Sequence, residues 1–179
     1  KSPPPDFSLY STALHIAPSK PAMPISHPPI YSIYLACLLG EFGTLGLAED
    51  TWALNEGVLD ERQFLDLCRL LQAERERIFF NAMRRQRDGV IACVFDLTDR
   101  VGHMFAPDEG GEIERVYSEA DIMIGKTLDL MRPGDELIVV SDHGFTDFRR
   151  CVSLNGWLMS EGYIRLKDGA ERSGRFFEG

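Results

Sequence analysis

The chain has 179 residues, enough for one ordinary domain with its own hydrophobic core. Hydrophobic residues make up 44% and charged residues 26%, a composition typical of soluble globular proteins. The formal net charge of −9 argues against a protein that binds the phosphate backbone of nucleic acids. No apolar run approaches the roughly 20 residues needed to cross a bilayer, so the sequence predicts no membrane segment.

The start of the chain and its cysteines bear on the compartment. The first residues, KSPPPDFSLY, contain no initiator Met and no signal-peptide pattern, which we interpret as the middle of a longer chain. The four cysteines are far apart and include no C-x-x-C pair: Cys37, Cys68, Cys93 and Cys151. We expect free thiols, with Cys68 and Cys93 buried, in a reducing compartment, and therefore a cytoplasmic protein.

The predicted elements begin with a proline-rich segment, residues 1–30, which we expect to be irregular apart from one strand over residues 6–16. A short helix is expected over residues 31–40, where Gly40 would end it. The next segment, residues 41–57, contains several glycines and is expected to form a loop.

Two long helices and two short apolar runs follow. Asp60 is expected to cap the first helix, with Gln63 as its capping-box partner, and the helical period continues to about residue 87. A loop is expected after residue 95, and the second helix over residues 112–131. Residues 90–95 and 137–140 are continuous apolar runs that favour strands buried on both faces. This order predicts an α/β fold with a mostly parallel sheet, a right-handed crossover and flanking helices.

Polar side chains follow both apolar runs where each run ends. Asp96, Asp99 and His103 follow the first run, and Asp142 and His143 follow the second. Ligands of open α/β sheets bind at the carboxyl ends of the strands, so we expect these groups to converge. Mixed carboxylate and imidazole ligands suit Zn²⁺ or Mn²⁺ better than Ca²⁺. Two alternatives stay open: a single Asp can simply form a turn, and either histidine could act as a general base without a metal.

The segments FDLTDRVGHMF and VVSDHGF resemble the C-terminal part of the catalytic core of the alkaline phosphatase superfamily. The branch in question is the type I phosphodiesterase/nucleotide pyrophosphatase group, including bacterial proteins described as phosphohydrolases or phosphomutases. The segments KPAMPISHP, TLGLAEDTWAL and LNGWLMSEGYI are similar to that bacterial branch. The resemblance therefore covers most of residues 6–166 and implies an alkaline phosphatase-like core, here incomplete.

The resemblance also implies roles for individual residues. Asp99 and His103 would bind one metal, and Asp142 and His143 a second, with the two ions about 4 Å apart on either side of the phosphoryl group. Two further residues are candidates from their positions beside these ligands. Asp96 could orient a ligand or simply end the strand, and Arg100 could orient a ligand, reach a phosphate or form a surface salt bridge. The nucleophilic Ser or Thr of the family, its early Asp and its later His have no counterpart in this sequence, and Ser26 is a poor substitute for the nucleophile.

We therefore expect part of a metal-dependent hydrolase of small phosphate esters or phosphodiesters. It would use two divalent metals, Zn or Mn, and a nucleophile that this chain lacks. The chain alone would therefore be inactive, and whether it holds either metal is left open. The alternatives are a non-catalytic metal-binding or interaction fragment, and a phosphomutase or sulfatase of the same superfamily. The expected organisation is a proline-rich segment (1–30), the α/β metal-site half of the catalytic domain (31–166) and a tail (167–179). Its partners would be the missing parts of the polypeptide, and a homo-oligomer is left open.

Overall fold

The structure is a computed structural model that describes residues 9–46, 48–107, 110–146, 150–165 and 167. Its six helices are α1 (Ile30–Leu39), α2 (Thr51–Asn55), α3 (Glu61–Arg85), α4 (Leu97–Phe105), α5 (Glu112–Leu130) and α6 (Leu154–Ser160). The chain divides between Phe145 and Thr146 into two compact units, with α1 to α5 in the first and α6 in the second. None of the helices in these ranges is long and apolar enough to cross a bilayer.

The prediction of a mostly parallel sheet is wrong, because no strand occurs in the part of the chain that the structure describes. Residues 90–95 and 137–140 lie outside helices and strands, and Val90 and Val140 are 91% and 85% exposed. The strand expected over residues 6–16 is also absent from residues 9–16, and residues 6–8 lie outside the described ranges. An apolar run supplies the side chains of a buried strand, but a strand also needs backbone hydrogen bonds to a neighbouring segment.

The longest helix, α3, confirms the sequence prediction in detail. The carboxylate of Asp60 accepts a hydrogen bond from the backbone N–H of Gln63 at 2.7 Å, and the Gln63 side chain accepts one from the Asp60 N–H at 2.9 Å. This capping box satisfies two of the N–H groups that a helix start leaves unpaired. Arg84 and Arg85 occupy the last turn, where positive charge complements the helix dipole.

The two other predicted helices of the first unit are confirmed as well. The first, α1, stops at Gly40, which has a positive φ of 88° and donates its N–H to the carbonyl of Ala36 at 2.9 Å. The second, α5, follows Gly111, where φ is 73°. Beyond α5 the RPGD turn closes on itself, since the Arg132 N–H donates to the Asp135 carboxylate at 2.8 Å.

Two helices lie where the sequence predicted loops. In α4, Leu97 and Val101 are four residues apart and both buried, so one face of this nine-residue helix packs inward. The five-residue α2 begins after Asp50, whose carboxylate accepts a hydrogen bond from the Ala53 N–H at 2.9 Å. The expectation of loops at these two places is therefore wrong.

The core forms where α3, α4 and α5 meet. Its buried members are Phe64, Leu65, Cys68, Leu97, Val101 and Val116. All four cysteines are free, and burial raises the pKa of the Cys68 thiol to about 12, which keeps it protonated and unreactive. Cys93 is exposed rather than buried, because the apolar run that carries it is not covered. This core fixes α4, the helix that carries the first candidate ligands.

Candidate metal centre

Helix α4 brings Asp99 and His103 together. The two residues are four positions apart, so their side chains lie on the same face of the helix, one turn apart. Asp99 Oδ1 and His103 Nε2 are 3.3 Å apart. Both side chains are partly exposed, whereas Val101 between them is fully buried against the core. The helix thus anchors itself with one face and presents an oxygen and a nitrogen ligand with another.

The segment after residue 140 adds a second imidazole. His143 Nε2 lies 3.3 Å from the same Asp99 oxygen, and the centroids of the two imidazole rings are 5.4 Å apart. One ligand atom from each of Asp99, His103 and His143 lies within 4.8 Å of the other two. We call these three residues the ligand triad. Two residues from the first predicted group and one from the second therefore do converge, although no sheet edge assembles them.

Backbone contacts orient the His143 ring. Its Nδ1 lies 3.2 Å from the carbonyl oxygen of Gly144, which can only accept a hydrogen bond, so a neutral ring carries its proton on Nδ1. Nε2 then presents a lone pair toward the carboxylate of Asp99. Two acceptors facing each other at 3.3 Å require a proton or a cation between them. The donor set of one carboxylate and two imidazoles fits Zn²⁺ or Mn²⁺.

Gly102 and Phe145 determine how closely the second segment lies to α4. A Cβ atom on Gly102 would overlap the Phe145 ring. The same ring meets the imidazoles of His103 and His143 edge-on, with centroids 5.0 and 5.4 Å away. The missing side chain at position 102 therefore lets Phe145 pack on the helix and carry His143 to Asp99. This pair was not predicted, and its only signal in the sequence is the glycine immediately before His103.

Asp142 lies beside the ligand triad but does not belong to it. Its side chain is 90% exposed, and its nearest carboxylate oxygen is 4.0 Å from His143 Nε2. Its other oxygen accepts a hydrogen bond from the backbone N–H of His143 at 3.1 Å. The structure therefore places Asp142 and His143 side by side without joining their side chains in one set of ligands.

Asp96 and Arg100, the two residues predicted to orient the ligands, have different neighbours. Arg100 is largely buried, and its Nη2 lies 3.4 Å from Asp99 Oδ2, the oxygen that faces away from the histidines. Asp96 instead pairs with Arg75 of α3, which joins the start of α4 to the long helix. Arg100 can therefore orient a ligand directly, whereas the ion pair of Asp96 holds the helix.

Arg100 also reaches a second carboxylate, in the segment before α2. Its Nε is 3.9 Å from Glu49 Oε2, and Glu49 is buried. The next residue, Asp50, accepts a hydrogen bond from the Tyr10 hydroxyl at 2.6 Å. That bond and the one from the Ala53 N–H lower the pKa of Asp50, while burial and the same bond raise the pKa of Tyr10 to about 12. These contacts fix the backbone that carries Glu49.

Comparison with known proteins gives one finding. The model of a family described as type I phosphodiesterase / nucleotide pyrophosphatase matches residues 26–176, which include all three members of the ligand triad. No curated protein and no solved structure matches the chain significantly.

Proposed function

Because the chain belongs to the type I phosphodiesterase / nucleotide pyrophosphatase family, we propose that it is part of a metal-dependent hydrolase of phosphoric esters, of the phosphodiesterase or phosphatase type. The observation that supports this most is the convergence of Asp99, His103 and His143 around one point. Three protein ligands leave at least one coordination position for water or substrate, as in catalytic zinc sites.

The carboxylate and the two imidazoles of the triad have different roles. Asp99 supplies the negative charge that attracts a cation, and the two imidazoles supply neutral nitrogen donors. Bound there, a divalent ion would polarise a phosphoryl oxygen and stabilise the charge that develops during ester cleavage. We assign Asp142 to a second ion beside the first. Its carboxylate is exposed, and among the described residues its only ion-pair partner is the nearby His143.

We expect the triad to bind one equivalent of Zn²⁺ or Mn²⁺, measured by isothermal titration calorimetry on the purified, metal-stripped chain. Removing one of three protein ligands should be severe, so His143→Ala is expected to weaken binding by about 100-fold or more. His27→Ala is the matched control, since His27 is exposed and outside the triad, and it should bind as the wild type does. Equal binding by both variants would contradict the site.

Asp142→Ala separates the one-ion and two-ion forms of the proposal. It should leave the triad's ion in place and abolish any second, weaker binding event in the same titration. Loss of the first event in this variant would mean that Asp142, and not only the triad, holds the first ion.

We expect this chain alone to show no turnover of a model phosphodiester such as bis(4-nitrophenyl) phosphate. Among the described residues, no serine or threonine hydroxyl is hydrogen-bonded to a side chain of the triad, and Ser141 donates its proton to the His143 carbonyl at 2.6 Å. An activated nucleophile needs a base or a metal within reach of its hydroxyl. Release of nitrophenol by the metal-loaded wild type that disappears in Asp142→Ala would overturn this expectation.

A further inference from the structure

We propose that Glu49 is a positioning residue of the metal centre, which acts on Asp99 through Arg100. The inference rests on the proposed metal-binding function, because its effect is exerted on a ligand of the triad. Neither the family match nor the pattern of metal ligands assigns a role to Glu49.

The burial of Glu49 calls for an explanation. Its side chain is only 2% exposed, and its Oε2 is buried without a hydrogen-bond partner. The Nε of Arg100 is likewise buried without one. Burying a carboxylate is costly unless it is well paired, and a pair at 3.9 Å compensates this cost only in part. A packed apolar side chain at position 49 would serve stability at least as well.

The two oxygens of Asp99 have different partners, because one contacts the guanidinium of Arg100 and the other faces the histidines. Nη2 contacts Oδ2 at 3.4 Å, while Oδ1 faces the Nε2 atoms of both histidines at 3.3 Å. The planar guanidinium contacts Asp99 through one nitrogen and Glu49 through another, which restricts rotation of the Asp99 carboxylate. Oδ1 is thereby held toward the point where the three ligand atoms converge.

The charges of these residues explain why a second carboxylate is needed. Arg100 alone would neutralise Asp99 and repel a divalent ion a few ångströms away. The charge of Glu49 offsets that of Arg100, so the pair is close to neutral and the charge of Asp99 stays available to the ion. Without Glu49, the guanidinium would pair with Asp99 more fully and compete with the metal for it.

The test is the affinity of the full chain for Zn²⁺, measured by competition with a chromogenic chelator. Glu49→Gln keeps the shape and removes the charge, and it should weaken binding about 10-fold, the scale seen for groups that orient metal ligands. Glu119→Gln is the matched control, because it breaks an ion pair of 3.0 Å with Arg69 that lies outside the triad, and it should leave the affinity unchanged. Thermal unfolding of each metal-free variant verifies the fold.

A double-mutant cycle distinguishes action through Asp99 from a general structural effect. In the Asp99→Asn background, where the carboxylate is gone, Glu49→Gln should no longer change the affinity. The same 10-fold loss in both backgrounds, or no loss in either, would overturn the proposal. If Glu49→Gln does not fold, Arg100→Lys replaces it, since a lysine cannot hold both carboxylates, and the same cycle applies. A wild type that binds no Zn²⁺ would overturn the metal site itself and this inference with it.

Discussion

Among single residues, Gly102 is as important to the candidate metal centre as the three candidate ligands, because it has no side chain. Asp99 and His103 share one helix, so their proximity follows from local geometry. His143 comes from a segment forty residues further along the chain, and it reaches Asp99 beside the contact between Gly102 and the ring of Phe145. The glycine is therefore a determinant of the site even though it offers no ligand atom.

We expect Gly102→Ala to weaken Zn²⁺ binding about 10-fold, in the range found for residues that orient ligands. The new Cβ would overlap the Phe145 ring, so the ring must move, and His143 would move with it. Gly125→Ala is the matched control, because Gly125 also lies inside a helix but has open space around it. It should raise stability by about 0.5–1 kcal/mol and leave binding unchanged. Titration and thermal unfolding of both variants give the answer, and wild-type affinity in Gly102→Ala would refute this role for the glycine.

Among the elements, the two long helices were predictable because each repeats its apolar positions over several turns. The 25 residues of α3 repeat their apolar positions over several turns, and Asp60 with Gln63 marks the start. The nine-residue α4 offers one buried stripe and contains a glycine, and Asp96 at its start makes no capping hydrogen bond. Such a short pattern does not distinguish a helix from a loop.

The prediction of strands failed for a different reason. Hydrophobic content is a property of a single segment, whereas pairing is a property of two, and the runs at 90–95 and 137–140 carry no information about a partner. More of the candidate site than of the sheet could be predicted, because residue types indicate which side chains can bind a metal. Asp99, His103 and His143 lie together, whereas the family resemblance implies that His143 joins Asp142 at a second ion. The separation of Asp142 from the other three depends on local backbone geometry that residue types do not encode.

The contact between Tyr10 and Asp50 joins the N-terminal segment to the start of α2, and we expect Tyr10→Phe to lower stability by about 1 kcal/mol at neutral pH. The pKa of Asp50 is lowered in the folded state, so its contribution is present above the ordinary value of 3.8 and is lost as the pH falls through the folded pKa. The pKa of Tyr10 is raised from 10.0 to about 12, so its contribution is present below pH 10 and is lost as the pH rises toward 12.

Urea unfolding across the pH range measures this linkage. The stability difference between the wild type and Tyr10→Phe should be largest between about pH 5 and 9 and shrink toward both ends. Tyr117→Phe, at an exposed position of α5, serves as the control and should show no such profile. A difference that is constant from acid to alkaline pH would show that the hydroxyl contributes through packing alone.

At the scale of the whole molecule, the most consequential feature is the amount of apolar surface in contact with water. Within the described first unit, residues 90–94 expose two large aliphatic side chains, Val90 and Val94, and all four aliphatic side chains of residues 137–140 are exposed. Neither segment makes a backbone hydrogen bond to another described segment. Apolar, β-branched and uncharged runs with free backbone groups are templates for pairing between chains. We therefore propose that this surface associates with a second copy of the chain.

We expect the wild type to self-associate with rising concentration and Ile138→Lys to shift it toward the monomer. Ile138 is 78% exposed, and a lysine there would place charge in the segment whose backbone is free to pair. Leu128→Lys is the matched control: Leu128 is 54% exposed, but it lies in α5, where the helix already satisfies the backbone. Sedimentation velocity should show large species for the wild type and Leu128→Lys and fewer for Ile138→Lys. In infrared spectra, only the associated samples should show the amide I band that is typical of strands paired between molecules. Equal relief by both lysines would mean that general hydrophobicity, and not strand pairing, drives the association. Zn²⁺ affinity should be the same in all three proteins, because neither position belongs to the ligand triad.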